Sequence, residues 1–487
     1  MDADAGVIAA GGTLTAAREP AAGGGGIAGG QYRRVFSRLM IQTLICVIPS
    51  SILLSTGHAI PAGVLFWALF CLLYVRLLVL GRPLELLCLM IALAPHITLL
   101  RGIGFFYNAV VFFLLFALGA YGIRSRGQLW RLLRENPLIT GLLAFVTLYY
   151  IATVILTGQY DTNMRLIDFG LTVVIIVVVS RTPELLAPAL LGLLFSSWGV
   201  GFAMMQQISE VSGSRLGVMV VDGYSIGNPV SLGTPLALAL LALILDRGRW
   251  LGLRKQPVLR FFLIIPTLAL LALTTSRAAW LVAAAGMALA LLMDRRSRSR
   301  IILLIVLGAV VLEIVLISPY GYGLQEGIDR TFGEERTTAN RTSGRSDQWR
   351  VSYKAFNASV GSIVHGYGPG VGPSVYARLS RETRGVVYDV GGEAQLHSLY
   401  MQIGVEAGVI GLSFLFVWLG RVVFRTFQWS RRRKLIFPLV CVVGYMIIIG
   451  TVSGNDLVSG CFLGIALIGA VRTRQAPKAS PLAQDTR

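Results

Sequence analysis

Runs of about twenty apolar residues recur along this chain of 487 residues, and they restrict its fold more than any other feature. A helix that crosses a hydrocarbon layer ~30 Å thick needs about that many residues, because it rises ~1.5 Å per residue. Fourteen such runs lie near 39–57, 62–80, 84–100, 103–120, 138–157, 166–180, 185–205, 229–245, 258–274, 278–293, 301–317, 403–420, 435–451 and 457–471. Strand-like alternation of apolar and polar residues is absent. The sequence therefore predicts an all-α, polytopic membrane protein with about 14 transmembrane helices.

The positive charge of the chain is concentrated in alternate loops between these runs. A net charge of +19 could indicate a nucleic-acid binder, but its distribution argues for a membrane topology instead. The basic residues of these loops are Arg124, Arg126, Arg131 and Arg134; Arg247, Arg249, Arg254 and Lys255; Arg295, Arg296, Arg298 and Arg300; and Arg421, Arg425, Arg431, Arg432, Arg433 and Lys434. Because basic loops stay on the cytoplasmic side, we expect these loops and both termini to be cytoplasmic. No nucleic acid is expected as a partner.

One long polar segment, residues 318–396, interrupts the apolar pattern and falls on the opposite, periplasmic side. Its nine basic and eight acidic residues nearly cancel. The first thirty residues are rich in Gly and Ala and cannot bury enough surface to become ordered. The predicted organisation is a disordered cytoplasmic tail at 1–30, helices 1–11 at 31–317, a large periplasmic loop at 318–396, helices 12–14 at 397–471 and a cytoplasmic tail at 472–487.

All five cysteines lie inside predicted helices, and none lies in the long polar segment. This placement argues against a disulfide framework, and no spacing of Cys and His resembles a zinc site. We therefore expect small buried hydrophobic residues at these positions and no metal.

The turn Thr274-Thr275-Ser276-Arg277 joins two predicted helices on the outer side. Ser276 or Thr275 can cap the second helix, whose positive dipole end and free N–H groups, together with Arg277, would form an anion site. The alternative is an arginine whose side chain extends to the membrane interface.

Two motifs lie inside the polar segment. Trp349, Tyr353 and Phe356 follow Arg345 at helical spacing, which predicts a short amphipathic helix on the membrane surface and favours packing over sugar stacking. Arg345 stands at the start of this helix, where its guanidinium could bind a phosphate with two hydrogen bonds. The glycines of residues 366–372 allow close approach to a ligand, although an irregular turn is the favoured interpretation.

The last motif, His397-Ser398-Leu399-Tyr400, leads directly into a predicted transmembrane helix. Gly404 and Gly408 form a GxxxG face that admits a close neighbour. Glu406 is an ionisable group at membrane depth, which is costly unless paired and therefore marks a candidate functional residue. His397 lies at the outer end of the helix, where a neutral imidazole can act as a base.

Together these residues resemble the O-antigen ligase and polysaccharide polymerase superfamily of bacterial inner membranes. The resemblance rests on His397 to Tyr400 with Glu406, Gly408 and Gly411; on Gly344-Arg345 with Trp349; on Ser276-Arg277; and on Gly227-Asn228-Pro229. It covers roughly residues 200–420. Ala278 stands where glycine is common, and Val230 stands where asparagine is common.

The resemblance implies a GT-C-like glycosyltransferase of lipopolysaccharide or exopolysaccharide biosynthesis, with its active site facing the periplasm. It would transfer a glycan from an undecaprenyl-diphosphate carrier to an acceptor hydroxyl, with inversion and without metal or cofactor. His397 would be the catalytic base, and Arg277 and Arg345 would bind the diphosphate. Trp349, Glu406, Asn228 and Arg215 would support the site.

The sequence leaves alternatives open for two features: the molecule that accepts the glycan, and the class of protein. A ligase would transfer the finished glycan to lipid A core, whereas a polymerase would transfer it to the next lipid-linked repeat unit, and nothing in the sequence separates the two. A flippase or exporter for the same lipids is the alternative outside enzymes. It would be expected to carry inverted repeats, which the sequence does not show.

Overall fold

The computed structural model is almost entirely helical. It describes residues 25–100, 109–125, 127–158, 164–210, 219–221, 224–226, 229–245, 251, 253, 256–295, 298–318, 321, 324–325, 328–329, 345–384, 398–433, 435–451 and 456–472. The only sheet among these residues is a two-stranded antiparallel hairpin of β1 (Met219–Val221) and β2 (Tyr224–Ile226), in which Val220 pairs with Ser225. The predicted all-α membrane fold is confirmed.

The helices follow the predicted apolar runs closely. Before the hairpin they are α1 (Gly25–Ser55), α2 (Ala59–Val79), α3 (Pro83–Ala92), α4 (Ala94–Leu100), α5 (Ala109–Arg124), α6 (Gln128–Glu135), α7 (Pro137–Thr157), α8 (Met164–Val179) and α9 (Pro183–Glu210). After it they are α10 (Pro229–Leu245), α11 (Pro257–Leu273), α12 (Arg277–Met293), α13 (Arg298–Ile317), α14 (Arg345–Phe356), α15 (Val360–His365), α16 (Gly372–Arg384), α17 (Leu399–Arg433), α18 (Phe437–Thr451) and α19 (Leu457–Arg472). Several begin with proline, which fits the first helical position because its missing N–H has no partner there.

Over its described residues, each of the fourteen predicted runs lies largely on one of these helices or on a bent helix pair; residues 103–108 of the fourth run are outside the described residues. Among the described residues, six helices are long and apolar enough to cross a membrane, and eight are if each bent pair counts as one span. The bent pairs are α3 with α4, at 63°, and α5 with α6, at 105°. The count of 14 spans therefore remains a prediction, because the other apolar helices have only 10–17 residues.

Small side chains set the distance between the packed helices. Helix α9 packs against α1 and α3, α8 packs against α19, and α12 packs against α10 and α18. A Cβ at Gly192 of α9 would lie 2.5 Å from the Cβ of Ala92, and one at Gly464 of α19 would lie 2.6 Å from the Cβ of Ile176. Close backbone approach of this kind is how membrane helices associate, since lipid removes the hydrophobic driving force between them.

The cysteines behave as expected for small apolar residues. All five are free; Cys71 is half-buried, and Cys46, Cys88, Cys441 and Cys461 are buried.

The polar segment contributes α14, α15 and α16, which pack on the first turns of α17. A separate apolar cluster forms between them from Val351, Ala355, Val375, Tyr376 and Val405. Because Val405 belongs to α17, this cluster attaches the polar segment to the transmembrane helices.

Candidate functional site

Helix α17 is broken at Gly408, two residues after Glu406. Gly408 has φ 61° and ψ −156°, a backbone conformation that is essentially restricted to glycine. A Cβ at this position would lie 2.5 Å from the carbonyl carbon and oxygen of Val364, so the backbone of α15 comes directly against the break. The predicted GxxxG face thus receives short helices of the polar segment, because Gly404 lies beside Phe356 of α14.

The segment Gly366–Gly372, called the glycine loop below, supplies the hydrogen bonds that the broken helix lacks. The N–H of Tyr367 donates to the carbonyl oxygen of Val405 at 2.9 Å, and the N–H of Gly368 donates to that of Glu406 at 2.9 Å. A buried carbonyl without a partner would be costly, so these bonds stabilise the break. A Cβ at Gly366 would collide with the backbone of Glu406 and Ala407, so only glycine fits this contact.

The glycine loop also binds the Glu406 side chain, which is completely buried with 0% of its surface exposed. Gly370 N–H donates to Oε2 at 2.9 Å, and Gly372 N–H donates to Oε1 at 3.2 Å. The hydroxyl of Tyr149 donates to Oε2, and the side-chain amide of Gln402 donates to Oε1 at 3.3 Å. These four donors provide the pairing that a carboxyl group at membrane depth requires.

Local sequence explains how the glycine loop reaches this position. Helix α15 begins with a capping box in which the Ser359 and Ser362 side chains each accept a hydrogen bond from the other's backbone N–H. The helix ends at Gly366, with φ 73°, and the loop then packs on α7, where a Cβ at Gly370 would collide with Thr153. Glycine is therefore required for the contact with Glu406 at one end and for the contact with α7 at the other.

The turn before α12 contains the predicted N-cap residue and, next to it, a strained backbone that the sequence does not predict. Ser276 is the N-cap, and its Oγ accepts a hydrogen bond from the N–H of Ala279 at 3.4 Å. Thr275 has φ 46°, the only positive φ of a non-glycine residue in the described part of the chain. Its hydroxyl is buried, with no hydrogen-bond partner in the described structure. Strain and an unpaired polar atom side by side are typical of functional sites.

Helices α12 and α17 both pack against α18. Val282, in α12, packs against Gly444, and Tyr400, in α17, packs against Gly450. The Tyr400 hydroxyl also donates to the carbonyl oxygen of Met446 at 3.4 Å. Gly233, near the start of α10, packs on Ser276. The Ser276-Arg277 turn and the residues that follow His397 are thus placed at one end of the helix bundle.

Helix α14 forms as the aromatic spacing predicts, but its buried face is a different one. Val351, Ser352 and Ala355 are buried, whereas Tyr353 is 67% exposed. The indole N–H of Trp349 and the side-chain oxygen of Gln348 are buried, and neither has a hydrogen-bond partner among the described residues. Trp349 stands one helical turn after Arg345 on the same face. A donor and an acceptor without partners here indicate a place where a polar ligand can bind.

The other predicted site residues lie at or beyond the edges of these elements. Arg345 is the first residue of α14, and its side chain is outside the described residues, as are His397, Asn228 and Arg215. The structure therefore does not test the predicted convergence of Arg277, Arg345 and His397.

Two partners of Glu406 were missed from the sequence. Gln402 precedes Glu406 by four residues on one helix face, a spacing that could have identified it. Tyr149 is 257 residues away, and no local pattern connects it to Glu406.

The fold and this site define a polytopic membrane protein in which a polar segment between helices is fixed on a broken transmembrane helix. The family model described as O-antigen ligase matches residues 261–416. The match covers 156 of the 487 residues, and this part of the chain is similar to the O-antigen ligase family. No curated protein matches the chain. The matched range contains Arg277, Arg345, Trp349, His397 and Glu406.

Proposed function

We propose that this protein is a glycosyltransferase that moves a glycan from an undecaprenyl-diphosphate carrier to an acceptor hydroxyl at the periplasmic face of the bacterial inner membrane. The observation that carries the proposal is the O-antigen ligase match over residues 261–416, which contains both arginines and the histidine of the predicted site. The fixed attachment of the polar segment at Glu406 supports it, because inverting transfer needs its base and its cations in a constant geometry.

The reaction requires a proton acceptor and stabilisation of the leaving group. The oxygen of the acceptor hydroxyl attacks the anomeric carbon from the side opposite the diphosphate, and His397 takes the hydroxyl proton. The bond from the anomeric carbon to the diphosphate oxygen breaks, and the electron pair leaves with the diphosphate. Arg277 and Arg345 stabilise the developing negative charge, which makes the proposed transfer independent of metal.

The remaining residues support this arrangement without taking the proton or binding the diphosphate. Glu406, held by Tyr149, Gln402 and the glycine loop, fixes the first turns of α17, the helix that begins two residues after His397 in the sequence. Trp349, one helical turn after Arg345, supplies an indole N–H for a polar group of the substrate, since this N–H has no partner among the described residues. Asn228 directly precedes α10, which contacts the Ser276 turn through Gly233, and Arg215 lies upstream of it.

Substitution of His397 by alanine provides the direct test. Loss of a general base lowers a rate by ~10²- to 10⁴-fold, so we expect His397→Ala to abolish most transfer while insertion and donor binding persist. The purified variant is assayed with lipid-linked oligosaccharide and acceptor, and the covalent product is measured. His58→Ala is the matched control, because His58 lies in the exposed turn between α1 and α2. Transfer by His397→Ala within a few-fold of the parent would show that the base is another group.

The same assay separates the open alternatives. Product formed on lipid A core identifies a ligase, and product formed on a second lipid-linked repeat unit identifies a polymerase. A flippase would form no covalent product with either acceptor.

A further inference from the structure

A polar cavity lies at the end of the helix bundle opposite Glu406. Its volume is about 720 Å³, within the range of ~300–1,000 Å³ typical of ligand sites. It is formed by Val35 of α1 and by the residues where α2 meets α3, α5 meets α6 and α8 meets α9. These chain segments are the ones for which the sequence predicts a cytoplasmic location. We call this space the basic cavity, because Arg82, Arg124 and Arg181 line it.

Positive charge in the basic cavity exceeds negative charge. Glu85 is the only carboxylate among its described lining residues. Arg38 donates to both oxygens of Glu85, at 3.0 Å and 3.2 Å, and Arg82 lies 3.8 Å from one of them. Glu85 is therefore already neutralised by Arg38, which does not line the cavity. Arg124 and Arg181 have no carboxylate partner among the side chains that the structure describes, which do not include the side chain of Glu184.

The backbone of Gly81 orients the guanidinium group of Arg124. Its Nη1 donates to the carbonyl oxygen of Gly81 at 3.1 Å. Gly81 has φ 64°, and a Cβ there would lie 2.0–2.1 Å from Cζ and both Nη atoms of Arg124, so this exposed arginine lies flat against the glycine backbone. An arginine held in place in this way loses less conformational freedom when it binds an anion.

Helix α6 indicates the depth of the basic cavity in the membrane. It turns by 105° from α5 and therefore runs along the membrane surface if α5 crosses the bilayer. Trp130 of α6 is 74% exposed, as expected for an aromatic anchor at the level of lipid headgroups. Gln128, the first residue of α6, lines the cavity. The arginines are thus at headgroup level, while Leu84 and Leu185 form an apolar wall beside them.

We propose that the basic cavity binds the phosphate group of an acidic phospholipid. The planar guanidinium groups of Arg124 and Arg181 each match two phosphate oxygens, and basic pockets between transmembrane helices bind acidic lipid headgroups in this way. The glycerol backbone and the first acyl carbons lie against Leu84 and Leu185. A soluble phosphate has no apolar group that could pack against these two leucines. The proposal does not depend on the proposed glycosyl transfer.

Lipid binding by the purified full-length protein tests the assignment. Phosphatidylglycerol is added to protein in a neutral detergent, and its binding is followed by thermal unfolding and by native mass spectrometry. We expect the double variant Arg124→Gln/Arg181→Gln to bind it more weakly, by about fivefold for each arginine removed. Arg432→Gln/Arg433→Gln is the matched control, because these two exposed arginines are basic residues of another predicted cytoplasmic loop. The control is expected to bind like the parent.

Additional measurements identify the ligand that binds and control for a folding defect in the variant. Phosphatidylcholine and inorganic phosphate are added in parallel, and neither should stabilise the protein. If the glutamine variant does not remain folded, Arg124→Lys/Arg181→Lys takes its place, because lysine keeps the charge and loses the planar fork; its binding should also be weaker than the parent's.

Equal weakening in the control would assign the effect to general surface charge. Stabilisation by inorganic phosphate without phosphatidylglycerol would assign the cavity to a soluble anion. Either result would overturn the proposal.

Discussion

At the level of single residues, Glu406 makes the hydrogen bonds that hold the polar segment on the membrane helices. Its two carboxylate oxygens accept hydrogen bonds from the glycine loop, from Tyr149 of α7 and from Gln402 of its own helix. One buried side chain therefore connects the polar segment with two membrane helices, α7 and α17, the second of which begins two residues after His397. A carboxylate suits this position because it has two acceptor oxygens and no donor, and every group around it donates.

Glutamine at position 406 tests this pairing. Glu406→Gln keeps the size of the side chain but replaces one acceptor oxygen by an NH₂ group, so at least one of the four donors is left unpaired. Each unpaired buried donor costs about 1–3 kcal/mol, and we expect the free energy of unfolding to fall by that amount. Chemical or thermal unfolding in detergent measures the change. Glu313→Gln, on the exposed face of α13, is the control and should unfold like the parent. Equal stability of Glu406→Gln and the parent would contradict the pairing.

Sequence reasoning at this level identifies residues more easily than their partners. Glu406 is conspicuous because a charge inside an apolar run needs a reason, and Ser276 is recognisable as a cap from its place before a helix. Tyr149 carries no such signal, since one tyrosine in an apolar helix is ordinary. The strain at Thr275 is equally invisible, because threonine seldom adopts a positive φ and nothing in the sequence indicates it.

At the level of secondary-structure elements, the break in α17 organises the site. Its 35 residues would extend ~50 Å as a straight helix, longer than a bilayer core. The break at Gly408 turns the first residues of α17 away from the rest of the helix and opens two carbonyl groups to the glycine loop. Periodicity predicts the helices well, and the described part of each apolar run lies largely in one helix or a bent pair. It does not predict the break, because glycine is also common in unbroken membrane helices.

Alanine at the two glycines of the GxxxG motif tests the role of the break. Gly408→Ala places a Cβ 2.5 Å from the backbone of Val364 at a strained φ, which should cost at least about 2 kcal/mol and release α15 and the glycine loop. Gly404→Ala has more room, with its Cβ 3.4 Å from Leu412, and should be nearly neutral. Limited proteolysis of the polar segment in the purified variants measures the release. Equal cleavage of the two variants would indicate ordinary helix packing at both glycines.

At the level of the whole molecule, two polar regions mark opposite ends of the bundle. The glycine loop contacts Thr153 in the last turns of α7, whereas the basic cavity includes Gln128, shortly before α7 begins. A helix of 21 residues is ~30 Å long, so a hydrocarbon layer fits between the two regions. The alternation of basic loops in the sequence predicts this separation, since loop charge reports sidedness without any knowledge of tertiary contacts. The way α8 and α9 pack against the other helices depends on long-range contacts of small residues and was not predictable.

Labelling with a thiol reagent tests which side of the membrane each region faces. We expect α15 to be periplasmic and the end of α17 to be cytoplasmic, so Val360→Cys should react with a membrane-impermeant maleimide in intact spheroplasts and Arg432→Cys should not. Val360 is 79% exposed, and Arg432 is also exposed, so both positions are accessible to the reagent. Four of the five native cysteines are buried and the fifth is half-buried, so the parent chain serves as the background.

After the membrane is made permeable, Arg432→Cys should react as well, which shows that the thiol was shielded by the bilayer. Reaction of Arg432→Cys in intact spheroplasts would reverse the predicted orientation, and it would place the basic cavity on the outer side of the membrane and Glu406 on the inner side.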